Sequence, residues 1–311
     1  MSITLEDAIA LEELEKRLKE ILPALYSDSY EDVQPVSMGS APLKYDLDGN
    51  VAWNEIWASF CDLAMAGGPP HRGSLLQPAS IRDISAAETE YGRVVQELCR
   101  GVSLVTGLAA RQSDRLGWIE VRCHSVGMAA WLVRAIVMEN VMARHDKATL
   151  LLPAGPAFRL NKEIKNVITT IAKTSHYWLE HTPAEQKESI EGLLAEMASD
   201  KALLEPALET EVASGLDTYG SVLDTIGERI AALSGLPCFK GRYPGWIGVE
   251  CPSVRRAIWI MRAMVTENIL TRREAEVLFL PVTPAFDALG HSDRLLRSFS
   301  RLYHLSSVAR V

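Results

Sequence analysis

The hydrophobic positions along the chain follow helical and strand spacings in the same order twice. Residues 91–109 and, later, residues 219–233 carry apolar side chains every three or four positions, which predicts a helix in each stretch. After a Gly-containing connection, residues 118–123 and 246–251 place Ile and Val at alternate positions, which predicts a short strand. Each half of this pattern therefore begins with a helix and continues with a strand.

The same order continues through the rest of each half. A strongly apolar helix follows the strand, then two strands around a polar turn, then an amphipathic helix. The boundaries are set by Ser125 and Ser253 as N-caps, Asn140 and Asn268 as left-handed helix ends, and Pro153 and Pro281 after the last strand. Each half thus reads α-β-α-β-β-α. We predict an α+β fold, or an α/β fold, with helices packed on a sheet of about six strands.

A single constant shift aligns the two halves without a gap. Residues 117–158 fall on residues 245–286, and from Tyr91 and Tyr219 onward 26 of 68 aligned positions are identical. Composition alone gives about one match in fifteen to twenty, so the pattern indicates a tandem duplication with a pseudo-twofold arrangement. The bulky positions that both copies share are predicted core residues: Trp118 and Trp246, Cys123 and Cys251, Trp131 and Trp259, and Phe158 and Phe286.

The duplication divides the chain into three segments. Residues 1–48 hold an N-terminal amphipathic helix and a linker, residues 49–182 form repeat 1, and residues 183–311 form repeat 2. The N-terminal helix has fewer than three heptads, which favours packing on its own domain over a coiled-coil dimer. A homodimer stays open as an alternative.

Composition and charge narrow the class of protein. The chain has 311 residues, of which 48% are hydrophobic and 23% charged, and this mixture is typical of a globular protein. A net charge of −8 disfavours nucleic acid and anionic membranes as partners. No signal peptide and no uncharged apolar run of about 18 residues is recognisable, so we expect a cytoplasmic protein outside the membrane. The five cysteines lack zinc spacing, which predicts reduced thiols and no metal site.

The loop at residues 67–73, GGPPHRG, is the clearest difference between the copies. The second copy has residues 195–201, AEMASDK, at the same place, and that segment favours a helix. Two prolines stiffen the loop just before His71 and Arg72. A guanidinium beside an imidazole suits an anionic substrate, so we predict Arg72 as the clamp and His71 as acid or base. The alternative is a helix terminator with a solvated His-Arg pair.

Arg134 and Arg262 are matched charges in the middle of a helix that is otherwise apolar in the first copy. A buried guanidinium needs a partner. It could pair with Glu139 or Glu267, which both copies carry, or it could reach water along its stem. The functional alternative is an anion site, in which both arginines bind substrate.

A polar stripe along the last helix of repeat 1 supplies further candidates. Lys165, Lys173 and His176 recur at helical spacing opposite an apolar face. Most such stripes are solvated helix faces. In an acidic protein, however, a cationic stripe can concentrate an anion, so we include these three residues as predicted substrate-binding residues.

Together these features predict a protein that binds a small anionic molecule, phosphorylated or carboxylated, between two duplicated halves. If the protein is an enzyme, His71 and Arg72 would carry acid–base chemistry of a lyase or isomerase type. No stretch specifies a particular reaction or cofactor.

Two other classes of function stay open. In a non-enzymatic assembly or regulatory protein, Arg134 and Arg262 would only pair across an interface. In a metal or cofactor chaperone, His71 would act with Cys61 or His124.

Overall fold

The computed structural model describes residues 4–22, 42–66 and 74–309 and has a mixed helical and sheet architecture. Contacts divide the chain into two compact units. The N-terminal unit spans Val33–Leu194, and the C-terminal unit combines Met1–Asp32 with Ala195–Val311. The first helix of the chain is therefore grouped with the second half of the sequence.

In the N-terminal unit, short strands alternate with helices. Its elements are α2 (Trp53–Ala66), α3 (Ile81–Ala86), α4 (Glu88–Thr106), β1 (Ala110–Gln112), β2 (Trp118–Arg122), α5 (Val126–Met138), β3 (Arg144–Asp146), β4 (Thr149–Pro153) and α6 (Lys165–His176). Two π-helical turns, Leu160–Ile164 and Tyr177–His181, flank α6. The helix α7 (Ala184–Asp200) leads into the C-terminal unit.

The C-terminal unit repeats this order. Its elements are α1 (Leu5–Ile21), α8 (Glu209–Ser214), α9 (Leu216–Ser234), β5 (Cys238–Lys240), β6 (Trp246–Glu250), α10 (Val254–Val265), β7 (Arg272–Glu274), β8 (Val277–Pro281) and α11 (His291–Val308). The helix α1 packs on α10 and α11. None of the helices in the described ranges is both long and apolar enough to cross a membrane.

Each unit has its own four-stranded antiparallel sheet. The strand orders are β1-β2-β4-β3 and β5-β6-β8-β7. The registers correspond at the offset of the sequence alignment, since Ile119 pairs with Leu152 and Ile247 pairs with Leu280. The antiparallel pairing selects an α+β fold over an α/β fold.

The expected single sheet of about six strands is corrected to these two sheets. The extra strands, β1 and β5, were not recognised in the sequence. Each is only three residues long and mostly exposed at a sheet edge, so it lacks the apolar alternation that marks a half-buried strand.

The core of each unit lies between the sheet and its central helix. In the N-terminal unit, α5 packs on β3, β4 and α6. Its buried side chains are Met128, Ala129, Trp131, Leu132, Val133, Ile136 and Val137. Seven of the eight shared bulky positions are buried as expected, and Phe158 is half-buried.

The predicted helix boundaries are confirmed by the backbone. The Ser125 hydroxyl accepts a hydrogen bond from Met128 N–H, which caps the start of α5. After the helix, Asn140 has a φ of 61°, and Asn268 has a φ of 59° after α10. Asn tolerates this left-handed conformation better than other residues with a Cβ.

Candidate functional site

The two residues predicted as catalytic, His71 and Arg72, lie outside the described residues. Residues 67–73, which contain both, follow α2 directly in the chain. The aligned segment, residues 195–201, continues α7 as a helix up to Asp200, as its sequence predicts.

One predicted cation, Lys173, forms a buried ion pair. Its Nζ lies 3.0 Å from Glu139 Oε1, and the exposed fractions of the two side chains are 0% and 7%. The C-terminal unit has the same pairing, because Arg301 and Glu267, which align with Lys173 and Glu139, also bond to each other. A pair that both units need is first of all structural, since it ties the last helix of the unit to the end of its central helix.

The two matched arginines differ in burial. Arg134 is 5% exposed and donates from Nη1 to the carbonyl of Ala130 at 2.6 Å. Burial and the nearby Arg134 charge hold the pKa of the half-buried His145 below its usual value. Arg262 is half-buried and belongs to the C-terminal unit. Arg134 is thus the more deeply placed of the two.

Lys165 is the predicted cation whose position differs most between the two units. It begins α6, directly after a π-helical turn, and it is only 1% exposed. Burial lowers the pKa of this lysine, because desolvation disfavours its charged form. The corresponding residue of the C-terminal unit is Asp293, which is largely exposed and pairs with Arg229 at 2.9 Å. The fold therefore accommodates opposite charges at this position.

His176 ends α6 at the centre of a cluster of polar side chains. Its Nε2 lies 3.5 Å from the Sγ of Cys61 on α2 and 3.2 Å from Nε2 of His181. Its Nδ1 lies 3.2 Å from Oε1 of Glu180. The ring of Trp57 meets the imidazole edge to face, with 5.7 Å between ring centroids. A thiol, an imidazole and a carboxylate are thereby aligned.

The π-helical turn Tyr177–His181 brings Glu180 and His181 to the imidazole. It is anchored by Tyr177 and by Trp178, whose ring lies 5.4 Å from that of Trp131. π-Helical turns are rare and often occur at functional sites. The equivalent helix of the C-terminal unit, α11, is regular through Val308.

The other cysteines occupy different surroundings. Burial raises the pKa of Cys99 and of Cys238 to about 11, and that of Cys123 and of Cys251 to about 12. Cys251 also lines an open cavity of about 480 Å³ at the start of α10. These environments favour the protonated, unreactive thiol.

The structure places three of the predicted substrate-binding residues along one helix, with Lys165 at its start and His176 at its end, about 16 Å apart. Lys165, Lys173 and His176 lie on one helix, and Arg134 lies on a helix packed against it. Within the described ranges, no group of three or more His, Cys, Asp or Glu side chains is arranged to hold a metal ion.

Sequence reasoning missed the environment of His176. One signal was available: Glu180 follows His176 by four positions, and the second copy has Val308 there and Ser189 in place of Cys61. That these positions meet depends on how α2 packs on α6.

The chain is a two-unit α+β protein, and its N-terminal unit contains the polar cluster of Cys61, His176, Glu180 and His181. Comparison of the chain with protein-family models, with curated proteins and with solved structures finds no match in any of the three.

Proposed function

We propose that the chain arose by tandem duplication and that its N-terminal unit has acquired a binding site for a small anionic molecule, phosphorylated or carboxylated. The duplication is supported by the gapless alignment and by two sheets with the same order and register. A pseudo-twofold relation between the units stays a prediction.

The observation that carries the anion site is the burial of Lys165. Lys165 is only 1% exposed, and burial of its ammonium group carries a desolvation cost. The corresponding position of the C-terminal unit holds an exposed aspartate, so the fold itself does not call for a cation there. A positive charge that is buried at this position in only one unit supports a function that only that unit performs.

Two further groups of the N-terminal unit suit the same ligand chemistry. Arg134 and His176 lie on the helices α5 and α6, which pack together, and a guanidinium can bind a carboxylate or phosphate through two parallel hydrogen bonds. In this proposal Arg72 adds a further clamp and His71 supplies acid–base chemistry if the protein is an enzyme. Lys173 acts mainly by holding Glu139 and contributes less to binding.

A thermal-shift screen over phosphorylated and carboxylated metabolites tests the proposal. A ligand at about 100 times its Kd stabilises the folded state by about 2.7 kcal/mol. This corresponds to a rise in Tm of about 5–10 °C for a domain of 150–250 residues. Lys165→Met should abolish the rise, whereas the control Lys162→Met should keep it, because the Lys162 side chain is 62% exposed. An unchanged shift in Lys165→Met would exclude this lysine from the site.

The loop is tested separately. We expect Arg72→Ala to weaken anion binding and His71→Ala to affect turnover more than affinity, because a guanidinium–oxyanion bond is charge-assisted. A chimera that carries the sequence of residues 195–201 at positions 67–73 should fold without binding. A folded chimera with unchanged affinity would remove the loop from the site.

The first alternative function, a non-enzymatic assembly or regulatory protein, predicts a different outcome. In that case no anion raises the Tm, and light scattering after size-exclusion chromatography gives the mass of a homodimer or a larger assembly. Variants of Lys165 would then change stability alone.

A further inference from the structure

We propose that Cys61 is a nucleophilic thiol that accepts acyl groups from small esters or thioesters, with His176 as its base and Glu180 as the positioning residue. This inference shares His176 with the anion site, but it needs neither Lys165 nor residues 67–73.

The first argument is geometric. A nucleophile, a base and a group that orients the base are aligned, with 3.5 Å from Cys61 Sγ to His176 Nε2 and 3.2 Å from His176 Nδ1 to Glu180 Oε1. This order of contacts is the structural signature of an activated nucleophile. In the tautomer in which Nδ1–H donates to the carboxylate, Nε2 is unprotonated and faces both the thiol and His181 Nε2, 3.2 Å away, and it can take the thiol proton.

The second argument is that only one unit has this cluster. The histidine is common to both units, since His304 corresponds to His176, but His304 bonds to Asp7 at 2.9 Å. The thiol, the carboxylate and the second imidazole at His181 occur in the N-terminal unit alone. A π-helical turn is also found at this place in that unit. The difference is not required by the fold, which forms in the other unit with a regular helix.

The third argument is access. Cys61 and Trp57 are half-buried, the His176 side chain is 17% exposed and the Glu180 side chain is 66% exposed. A small electrophile can therefore reach the thiol. Cys99 and Cys238 are half-buried to a similar degree, and both have raised pKa values. Exposure alone does not distinguish Cys61 from Cys99 and Cys238, but its contact with the imidazole of His176 does.

The proposed reaction is balanced by these groups and water. His176 Nε2 takes the thiol proton, Cys61 Sγ attacks the carbonyl carbon, and a carbon–sulfur bond forms. The carbon–oxygen bond of an ester then breaks, and the leaving alcohol takes the proton from Nε2. Water next attacks the acyl thioester with His176 as the base, which releases a carboxylic acid and restores the thiol. Acyl transfer needs a group that returns the thiol proton to the leaving alcohol, as His176 does here. Alkylation of a thiol needs only the thiolate.

Alkylation with neutral iodoacetamide, followed by peptide mass spectrometry, tests the nucleophile. At pH 7 we expect Cys61 to react at least about tenfold faster than Cys99 or Cys238, and its rate–pH profile to have a midpoint below the ordinary thiol value of about 8.5. His176→Gln should move this midpoint to about 8.5. If Cys61 keeps the same midpoint in His176→Gln, the base assignment is wrong.

Three further measurements separate the roles. Glu180→Gln keeps an acceptor for the Nδ1 proton and should shift the midpoint less than Glu180→Ala, with the Tm unchanged in both. His181→Ala should leave Cys61 reactive, and a loss of reactivity would assign the base to His181 instead. If His176→Gln does not fold, the pH dependence of the thiolate ultraviolet absorbance, measured as the difference between the unmodified protein and Cys61→Ser, decides instead. A midpoint at or above about 8.5 overturns the proposal.

The acyl step is tested with p-nitrophenyl acetate. We expect a burst of p-nitrophenolate and an acetyl group on the Cys61 peptide, both absent in Cys61→Ser and both present in the matched control Cys99→Ser. Fast alkylation without any acetylated Cys61 would overturn acyl transfer as the chemistry of this site.

Discussion

Replacing Lys173 with methionine should destabilise the protein far more than the same change at Arg301. The two residues occupy aligned positions in the two units, and each bonds to the carboxylate at the end of the preceding central helix. Their burial differs greatly. Lys173 and Glu139 are 0% and 7% exposed, whereas Arg301 and Glu267 are 53% and 18% exposed.

The burial sets the magnitude of each effect. Lys173→Met leaves the buried carboxylate of Glu139 without this ammonium group, and removing one partner of a buried pair costs about 3–5 kcal/mol. Arg301 is half in water, where ion pairs are screened and contribute about 0–1 kcal/mol. For a domain of 150–250 residues, these costs correspond to a fall in Tm of about 6–20 °C for Lys173→Met and about 0–4 °C for Arg301→Met.

Calorimetry measures the loss, and hydrogen exchange read by mass spectrometry assigns it to one unit. Faster exchange in α5 and α6 is expected for Lys173→Met alone. The double variant Lys173→Met with Glu139→Gln should recover most of the stability, because it also removes the buried negative charge. Equal and small shifts for Lys173→Met and Arg301→Met would refute the argument from burial.

Three further predictions concern the shared framework and its titration. Asn140→Ala should be less stable than Asn140→Gly by about 1 kcal/mol in urea unfolding, because a φ of 61° is strained for alanine. Tyr91→Phe should cost about 1–3 kcal/mol, since its hydroxyl accepts from the buried N–H of Gly117 at 2.8 Å, and Tyr219→Phe should cost about as much. Burial lowers the pKa of His145, so the unfolded state binds more protons than the folded state as the pH is lowered below about 6.5, and stability decreases in that direction. His145→Gln should flatten this slope in urea unfolding measured from about pH 5 to 7.

The boundaries of the elements could be predicted because they depend on neighbouring residues. A hydroxyl at Ser125 caps a helix through the N–H three residues on, and Asn140 ends a helix through its own backbone conformation. Helical spacing likewise placed Lys165, Lys173 and His176 along one helix. The edge strand β1 was missed because three mostly exposed residues have no periodicity to detect.

The sequence by itself determined the repeated order of helices and strands, because spacing, capping and turn preferences are local and occur twice along the chain at a constant offset. Only the tertiary structure decided which distant side chains meet. Lys173 pairs with Glu139, and Cys61 meets His176 across 115 residues of chain. Such contacts follow from how helices pack to bury their apolar faces, and no local pattern encodes the partner on the facing helix.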